Sequence, residues 1–233
     1  MLLPGERVVM VSGANRGIGA AVARRLAAGG FRLSLGVRNG RTPSVPPSER
    51  CLVARYEGRD RESPKAWVDA TLEQFGRIDA LVNNAGISRL SSLEEESEDA
   101  LDEMWLVNVK APMRLIRAAL PHLRKSGAGR VVNVASLSGK RVKNDNVGYA
   151  MTKFALMALT HSVRRLGWQH GIRATAICPS FVATDMTADV TDVGRAEMIP
   201  PEDIAELVAT VLCLPNNAAV AELLVNMRYE EMV

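Results

Sequence analysis

The chain of 233 residues contains only three cysteines, Cys51, Cys178 and Cys213, and they form no CxxC pair. An odd number of widely spaced cysteines indicates neither a disulfide framework nor a zinc site, and it suits a reducing cytosol. The three histidines also lack the paired spacing of metal ligands. The sequence therefore predicts no metal site.

Long apolar runs and a strong net charge are missing as well. No uninterrupted apolar run approaches the roughly 20 residues of a membrane span, and the first residues lack the basic and apolar segments of a signal peptide. The net charge of +3, from 29 Lys and Arg against 26 Asp and Glu, is too small to make nucleic acid the expected partner. We therefore expect a cytoplasmic protein with no membrane or nucleic-acid partner.

Acidic residues are absent from one long stretch. No Asp or Glu occurs between Arg7 and Ser48, although seven arginines do. A solvated cationic surface is one interpretation, and a site for an anion is the other. A nucleic-acid interface is a third hypothesis, against which the small net charge argues. The arginines are Arg7, Arg16, Arg24, Arg25, Arg32, Arg38 and Arg41.

Short aliphatic runs alternate with longer segments of helical period, a pattern that indicates βαβ units and a mainly parallel sheet. With 47% hydrophobic and 24% charged residues, we predict one α/β domain over residues 1–233. Strands are predicted at 8–11, 33–37, 52–53, 78–82, 130–134, 174–177 and 223–225. Helices are predicted at 18–28, 68–75, 98–123, 149–168 and from 200 onward. Pro43, Pro46 and Pro47 predict that no helix joins the second and third strands.

A glycine-rich turn follows the first strand, with the sequence SGANRGIG at residues 12–19. Glycines between a strand and a helix let backbone N–H groups and the positive helix N-terminus approach a pyrophosphate. The spacing is GxxxGxG rather than the common GxGxxG, so a simple tight turn is the alternative interpretation.

The second predicted strand ends at Arg38, where an NAD site would place an acidic residue on the ribose hydroxyls. Arg38, together with Arg16 in the glycine turn, could bind a ribose 2′-phosphate and favour NADP(H) over NAD(H). The adjacent Asn39 belongs to the same candidate site. The alternative is that both arginines are solvated surface residues.

Tyr149 and Lys153 lie four residues apart at the start of a predicted helix, so their side chains share one face. In a sheltered cleft the ammonium would stabilise a phenolate, and Tyr149 could then give or take a proton. Such a pair also arises by chance. Ser136 follows the fifth strand, where its hydroxyl could donate to a substrate carbonyl oxygen or simply form a turn.

Taken together, these segments resemble the short-chain dehydrogenase/reductase family from about Arg7 to Leu214. Six features occur in the family's order. They are the glycine turn 13–19, the sequence NNAG at 83–86, Asn108 in the long helix, Ser136 placed 13 residues before Tyr149, the Tyr149/Lys153 pair, and the sequence PSFVAT at 179–184.

The resemblance implies a Rossmann-type, doubly wound parallel sheet and hydride transfer between a nicotinamide and a carbonyl or alcohol. It implies that Tyr149 is the general acid/base, that Lys153 stabilises it and holds the nicotinamide ribose, and that Ser136 positions the substrate oxygen. Asn108 would hold a water that links Lys153 to solvent. The remaining implied cofactor residues are Gly13, Asn15, Gly17, Ile18, Gly19, Glu57 in the place of a usual Asp near the adenine, Asn84, Ala85, Gly86, Pro179, Ser180, Val182 and Thr184.

We therefore expect an NADP(H)-dependent oxidoreductase that acts on a small polar carbonyl or alcohol, with 3-oxo and 3-hydroxy acids among the candidates. The alternative is an NADP(H)-binding regulatory or scaffolding protein with little turnover. Lys140, Arg141 and Lys143, between Ser136 and Tyr149, suggest an anionic substrate, unless they form a solvated loop.

The resemblance also implies a homodimer or homotetramer built through the helices at 98–123 and 149–168. An apolar interface could come from several residues of these helices, although core packing explains them equally well. They are Met104, Trp105, Met113, Met157 and Leu159.

Overall fold

The computed structural model describes residues 1–38 and 45–229. The strands are β1 (Val8–Ser12), β2 (Arg32–Val37), β3 (Cys51–Arg55), β4 (Ala80–Asn83), β5 (Arg130–Val134), β6 (Arg173–Pro179) and β7 (Glu222–Val225). They form one parallel sheet in the order β3-β2-β1-β4-β5-β6-β7. The strand order runs outward in both directions from β1 and β4, which is the doubly wound pattern. The predicted fold class and strand number are confirmed.

Helices cover both faces of this sheet, as its apolar strands require. They are α1 (Gly17–Ala28), α2 (Ser63–Phe75), α3 (Asp99–Trp105), α4 (Ala111–Lys125), α5 (Val147–Gly167) and α6 (Pro201–Cys213). On one face α1 and α6 pack together through residues such as Leu26 and Val208. On the other face α2, α4 and α5 contribute Trp67, Leu115 and Val163 to a second core. Because helices cover both faces, a ligand can reach the sheet only at its edges.

The long helix predicted at 98–123 is interrupted. A π-helical segment, Leu106–Lys110, separates α3 from α4, and the N–H of Ala111 donates to the carbonyl of Leu106, five residues back. Pro112 has no N–H, so the α-helical bond from residue 112 to the carbonyl of Asn108 cannot form. The single helix predicted here is corrected to two helices and a π-helical segment.

The connection from β2 to β3 contains no helix in residues 45–50, as the prolines predict. Residues 39–44, which include Pro43, lie outside the described residues. Within the described ranges, none of the helices combines the length and apolar character that a membrane crossing requires.

A buried carboxylate fixes the amino end of β4. Asp79 accepts hydrogen bonds from both Nε and Nη2 of Arg77 at 2.8 and 2.7 Å, from the N–H of Val8 at 2.9 Å and from the hydroxyl of Ser126 at 2.7 Å. Burial alone would raise the pKa of Asp79, but these hydrogen bonds outweigh burial and lower that pKa. Asp79 thus ties β1, β4 and the end of α4 together at the amino edge of the sheet.

Candidate active site

A cavity of about 830 Å³ follows the carboxyl edge of the sheet, a volume typical of small-molecule and cofactor sites. It joins the glycine turn to the predicted catalytic residues. The predicted site residues that line it are Gly13, Asn15, Arg16, Gly17, Ile18, Arg38, Glu57, Asn84, Ala85, Gly86, Ser136, Tyr149, Lys153, Pro179, Ser180, Val182 and Thr184. Gly19 and Asn108 do not line it, and Asn39 lies outside the described residues.

The glycine turn brings its backbone close to neighbouring groups. Gly13 and Gly17 have φ angles of +67° and +51°, in the left-handed region that favours glycine. A Cβ on Gly19 would lie 2.2 Å from the carbonyl oxygen of Gly13 and 2.4 Å from Nδ2 of Asn84. The Asn84 amide donates to the backbone oxygens of Ser12 at 3.0 Å and Gly13 at 3.2 Å, and so holds the turn in place.

Helix α1 begins directly after this turn. Its N-cap residue, Arg16, makes no side-chain capping hydrogen bond, and the first turn of the helix contains no acidic residue. The positive end of the helix can therefore stabilise an external anion. A cradle of this kind, with backbone in place of side chains, fits a pyrophosphate.

The two arginines predicted for the 2′-phosphate differ in their surroundings. Arg38 lies one residue beyond β2, is exposed and lines the cavity. Arg16 also lines the cavity, but its guanidinium pairs with Asp185 at 3.2 Å, and both of these side chains are exposed. A 2′-phosphate role for Arg16 stays a prediction that requires this ion pair to open.

The segment after β3 lines the end of the cavity at which the sequence predicts the adenosine. Glu57 accepts a hydrogen bond from the backbone N–H of Arg59 at 3.2 Å. The side chain of Arg59 pairs with Glu103, and this hydrogen bond is the main reason that the pKa of Glu103 is lowered. Arg59 and the buried Tyr56 line the cavity too. Neither Arg59 nor Tyr56 was predicted as a site residue, because neither belongs to a motif with recognisable spacing.

Ser136, Tyr149 and Lys153 line the same cavity from the end of β5 and the start of α5. Nζ of Lys153 donates to the carbonyl of Val134 at 3.1 Å and lies 5.5 Å from the centroid of the Tyr149 ring. Lys153 is only 7% exposed, so its charge acts in the sheltered environment that the sequence argument requires. The hydroxyl of Ser136 accepts from the backbone N–H of Ser138 at 3.1 Å, a bond that does not use its proton.

Asn108 lies behind these residues in the π-helical segment. Its side-chain amide donates to the carbonyl of Ile87 and accepts from the N–H of Ile87, both at 2.9 Å. A Cβ on Gly86 would lie 3.3 Å from Oδ1 of Asn108 and 3.9 Å from Nζ of Lys153, so the two side chains approach each other across Gly86. Because the side chain of Asn108 already bonds to the backbone of Ile87, a water held by Asn108 would bind its backbone carbonyl.

The segment after β6 covers the glycine turn. The N–H of Ser180 donates to the carbonyl of Val225 at 2.8 Å, and Val182 forms a bridge with Ile199. A Cβ on Gly17 would lie 3.1 Å from Cγ2 of Thr184, which shows how closely this segment approaches the turn. Residues of both segments line the cavity.

Residues 7–194 match the family model described as short chain dehydrogenase. The chain belongs to the short-chain dehydrogenase family. The resemblance inferred from the sequence is confirmed, and members of this family are oxidoreductases that bind nicotinamide cofactors.

The chain is similar to several known proteins, of which three are described here. An agropine synthesis reductase of Rhizobium rhizogenes is 44% identical over 217 residues, covering 91% of this chain but only 50% of the relative. This chain thus spans about half the length of that relative. A short-chain dehydrogenase of Burkholderia cenocepacia in complex with NADP is 28% identical, with a TM-score of 0.87 and coverage of 97% and 98% of the two chains. A 3-ketoacyl-(acyl-carrier-protein) reductase of Brucella melitensis, complexed with NADH, is 27% identical, with a TM-score of 0.88 and the same coverage.

The three cationic residues of the loop before α5 differ in whether they line the cavity. Lys140 bonds to Glu222 at 2.8 Å and does not line the cavity, so it leaves the set of residues suggested for an anionic substrate. Arg141 and Lys143 do line the cavity. Arg228, after β7, lines it as well, although the sequence analysis missed this residue.

The apolar residues suggested for a subunit interface are buried or half-buried within the chain. Met104 and Met157 are buried in the core, as the alternative of core packing predicts, and Trp105, Met113 and Leu159 are half-buried. The large apolar side chains that α5 does expose include Met151 at 46% and Phe154 at 44%.

Possible metal ligands are scattered over the described part of the chain. Among residues 1–38 and 45–229, no group of three His, Cys, Asp or Glu side chains could hold a metal ion. Burial raises the pKa of Cys51 and of Cys178 to about 11, which keeps both thiols protonated near neutral pH.

Proposed function

We propose that the chain is an NADP(H)-dependent oxidoreductase that interconverts a small polar carbonyl compound and its alcohol, with 3-oxo and 3-hydroxy acids among the candidates. The observation that carries this proposal is the single cavity that joins the glycine cradle to Ser136, Tyr149 and Lys153. An anion-binding turn alone would suit many nucleotides, but a proton donor beside a buried ammonium in the same cavity suits carbonyl chemistry.

A nicotinamide cofactor held in the cavity would supply the hydride for reduction at the carbonyl carbon. The hydroxyl of Ser136 donates a hydrogen bond to the carbonyl oxygen, on which negative charge develops. Tyr149 transfers its phenolic proton to that oxygen, which completes the alcohol and leaves a phenolate. Nζ of Lys153, 5.5 Å from the centroid of the Tyr149 ring, provides a positive charge beside the phenolate that forms.

Reprotonation of Tyr149 requires a path from solvent. We propose that a water held by Asn108 connects Lys153 to solvent. Two observations support this role: the side chains of Asn108 and Lys153 approach each other across Gly86, and Pro112 has no N–H to donate in an α-helical bond to the backbone carbonyl of Asn108.

Turnover in a Tyr149→Phe variant tests the catalytic assignment. The variant loses the transferable proton but keeps the ring, so carbonyl reduction should fall at least about a hundredfold while NADPH still binds. Tyr229→Phe is the matched control, because Tyr229 is 87% exposed and does not line the cavity. Wild-type turnover in Tyr149→Phe would refute the assignment. NADPH binding without turnover of any carbonyl compound by the wild type would favour the regulatory or scaffolding alternative.

The preference for NADP(H) rests on Arg38, at the end of β2 where a carboxylate would favour NAD(H). The solved relatives include complexes with both NADP and NADH, so the preference has to be measured on this chain. Arg38→Asp should reverse the ratio of the NADPH and NADH dissociation constants, measured by fluorescence titration. Arg117→Asp, on the exposed face of α4, makes the same charge change outside the cavity as a control. An unaltered ratio in Arg38→Asp would count against a 2′-phosphate site there.

The wider organisation is also a proposal. Residues 1–233 would form one dinucleotide-binding and catalytic domain in the cytoplasm, with free cysteines suited to a reducing compartment. A homodimer or homotetramer would bury the exposed Met151 and Phe154 of α5.

A further inference from the structure

A buried threonine connects the π-helical segment to helix α5. Thr152 is fully buried in the second turn of α5, one residue before Lys153. Its hydroxyl lies 3.2 Å from Nδ2 of Asn108 in the π-helical segment and 2.8 Å from the carbonyl oxygen of Tyr149. The hydroxyl therefore contacts the side chain of one predicted catalytic residue and the backbone of another.

The donors and acceptors around this hydroxyl follow from the chemistry of each atom. The N–H of Ile87 can only donate, so the atom of the Asn108 amide that lies 2.9 Å from it is the acceptor Oδ1. Nδ2 of the same amide carries two hydrogens, of which one goes to the carbonyl of Ile87 and the other to the Thr152 hydroxyl. Because the hydroxyl accepts from this amide, its own proton is directed to the carbonyl of Tyr149.

The position of Asn108 relative to α5 decides what the residue can do for Lys153. The two side chains approach each other across Gly86, so a small shift of the π-helical segment would separate them. The segment is followed by Pro112, which cannot donate an α-helical hydrogen bond back to it. The bond between Asn108 and Thr152 joins the segment to α5 directly.

Loss of this hydroxyl would unbalance a dry site. Asn108 is only 2% exposed, so water cannot replace the Thr152 oxygen without a rearrangement. One hydrogen of the Asn108 amide would be left without an acceptor, and an unpaired buried donor is costly. The amide would then move toward another acceptor, and the π-helical segment would move with it.

We propose that Thr152 is a positioning residue for proton transfer, whose hydroxyl fixes Asn108 against α5 so that the water held by Asn108 stays beside Lys153. This inference rests on the proposed function and extends it to a residue that does not line the cavity. Thr152 contacts neither substrate nor cofactor, and it acts through Asn108 and through the carbonyl of Tyr149.

Two valine substitutions in the same helix test this role. Thr152→Val keeps the branched shape of the side chain and removes the hydroxyl. Thr160→Val is the matched control, because the Thr160 hydroxyl is also fully buried, accepts from the amide of Asn133 at 2.8 Å and donates to the carbonyl of Leu156 at 2.8 Å. Both variants lose the same kinds of hydrogen bond, so their Tm values should fall by similar amounts. Thr152→Ser keeps the hydroxyl and should behave as the wild type.

Hydrogen exchange of the protein alone, followed by NMR, reports the position of Asn108. The N–H of Ile87 donates to Oδ1 of Asn108, so its exchange is slow only while that amide stays in place. Exchange at Ile87 should be at least about tenfold faster in Thr152→Val than in Thr160→Val, the effect of about one hydrogen bond. Equal exchange rates at Ile87 in these two variants would overturn the proposal.

Turnover measures the consequence for proton transfer. The assays use NADPH with 3-oxobutanoate, ethyl 3-oxobutanoate and 2,3-butanedione, in light and in heavy water. In Thr152→Val, kcat should fall about tenfold and the solvent isotope effect on kcat should rise, because proton return then limits turnover. The Kd for NADPH should remain that of the wild type. Thr160→Val and Thr152→Ser should keep the wild-type kcat and solvent isotope effect.

The possible failures are distinguishable. If Thr152→Val keeps the kcat and the solvent isotope effect of the wild type, or if Thr160→Val changes both equally, the positioning role is overturned and the proposed carbonyl reduction stands. If the wild type reduces none of the three compounds, the result counts against the proposed function and, with it, against a role of Thr152 in proton transfer.

Discussion

Gly19→Ala is expected to destabilise the protein and weaken cofactor binding, although alanine is the better helix former. Gly19 lies in the first turn of α1, where helix propensity alone would favour alanine by about 1 kcal/mol. The new Cβ would, however, lie 2.2 Å from the Gly13 carbonyl oxygen and 2.4 Å from Nδ2 of Asn84. Relief of such overlap costs about 1–3 kcal/mol.

The overlap also disturbs the hydrogen bonds of Asn84 to the turn, which contribute about 1 kcal/mol each. The net loss should be about 2 kcal/mol in the free energy of unfolding, or a fall of about 4–8 °C in Tm for a chain of this size. Because the same turn is the proposed pyrophosphate site, the Kd for NADPH should rise at least about tenfold.

Urea denaturation and fluorescence titration with NADPH measure the two effects separately. Gly5→Ala is the matched control, because a Cβ on Gly5 meets nothing within 4 Å and its φ is not left-handed. If Gly19→Ala has the stability and the NADPH affinity of the wild type, the close approach of the glycine turn to Asn84 is required neither for the stability of the fold nor for cofactor binding.

Two further predictions concern stability and assembly. The pKa of Asp79 is lowered in the folded state, so at acidic pH the unfolded chain binds a proton at Asp79 more readily than the folded chain does. Ionised Asp79 therefore stabilises the folded state above about pH 4, and this stabilisation is lost as the pH falls through the pKa of the folded state. Asp79→Asn should therefore lower the free energy of unfolding by about 2 kcal/mol at pH 7, and that free energy should depend less on acidic pH than in the exposed control Asp189→Asn. Equal losses of stability in the two variants would contradict this account. Phe154→Glu should shift sedimentation toward a smaller species, whereas an unchanged sedimentation coefficient would remove α5 from the interface.

The sequence predicts the sheet well because parallel buried strands carry continuous aliphatic runs. The predicted strand at 130–134 coincides with β5, and the glycine turn marks the start of α1. The π-helical segment was not predicted, because one extra residue in a single turn changes the spacing of apolar residues too little to be seen in the sequence. Pro112, four residues after Asn108, was the local signal that could have revealed it.

The spacing of residues in the sequence does not predict which side chains form ion pairs in the folded chain. Arg16 and Asp185 are 169 residues apart, and only the folded chain shows that they form an ion pair. Lys140 and Arg141 are adjacent in the sequence, yet only Arg141 lines the cavity. The place of Arg228 depends on β7 pairing with β6, which brings the end of the described chain to the cavity.

Isotope transfer tests the central claim most directly. Wild-type protein is incubated with a carbonyl compound and NADPH that carries deuterium at the transferred position, and the alcohol is analysed by mass spectrometry. The account predicts deuterium on the carbinol carbon for the wild type, and little labelled alcohol from Tyr149→Phe although that variant binds NADPH. Absence of label with every carbonyl compound, or equal labelling by Tyr149→Phe, would contradict it.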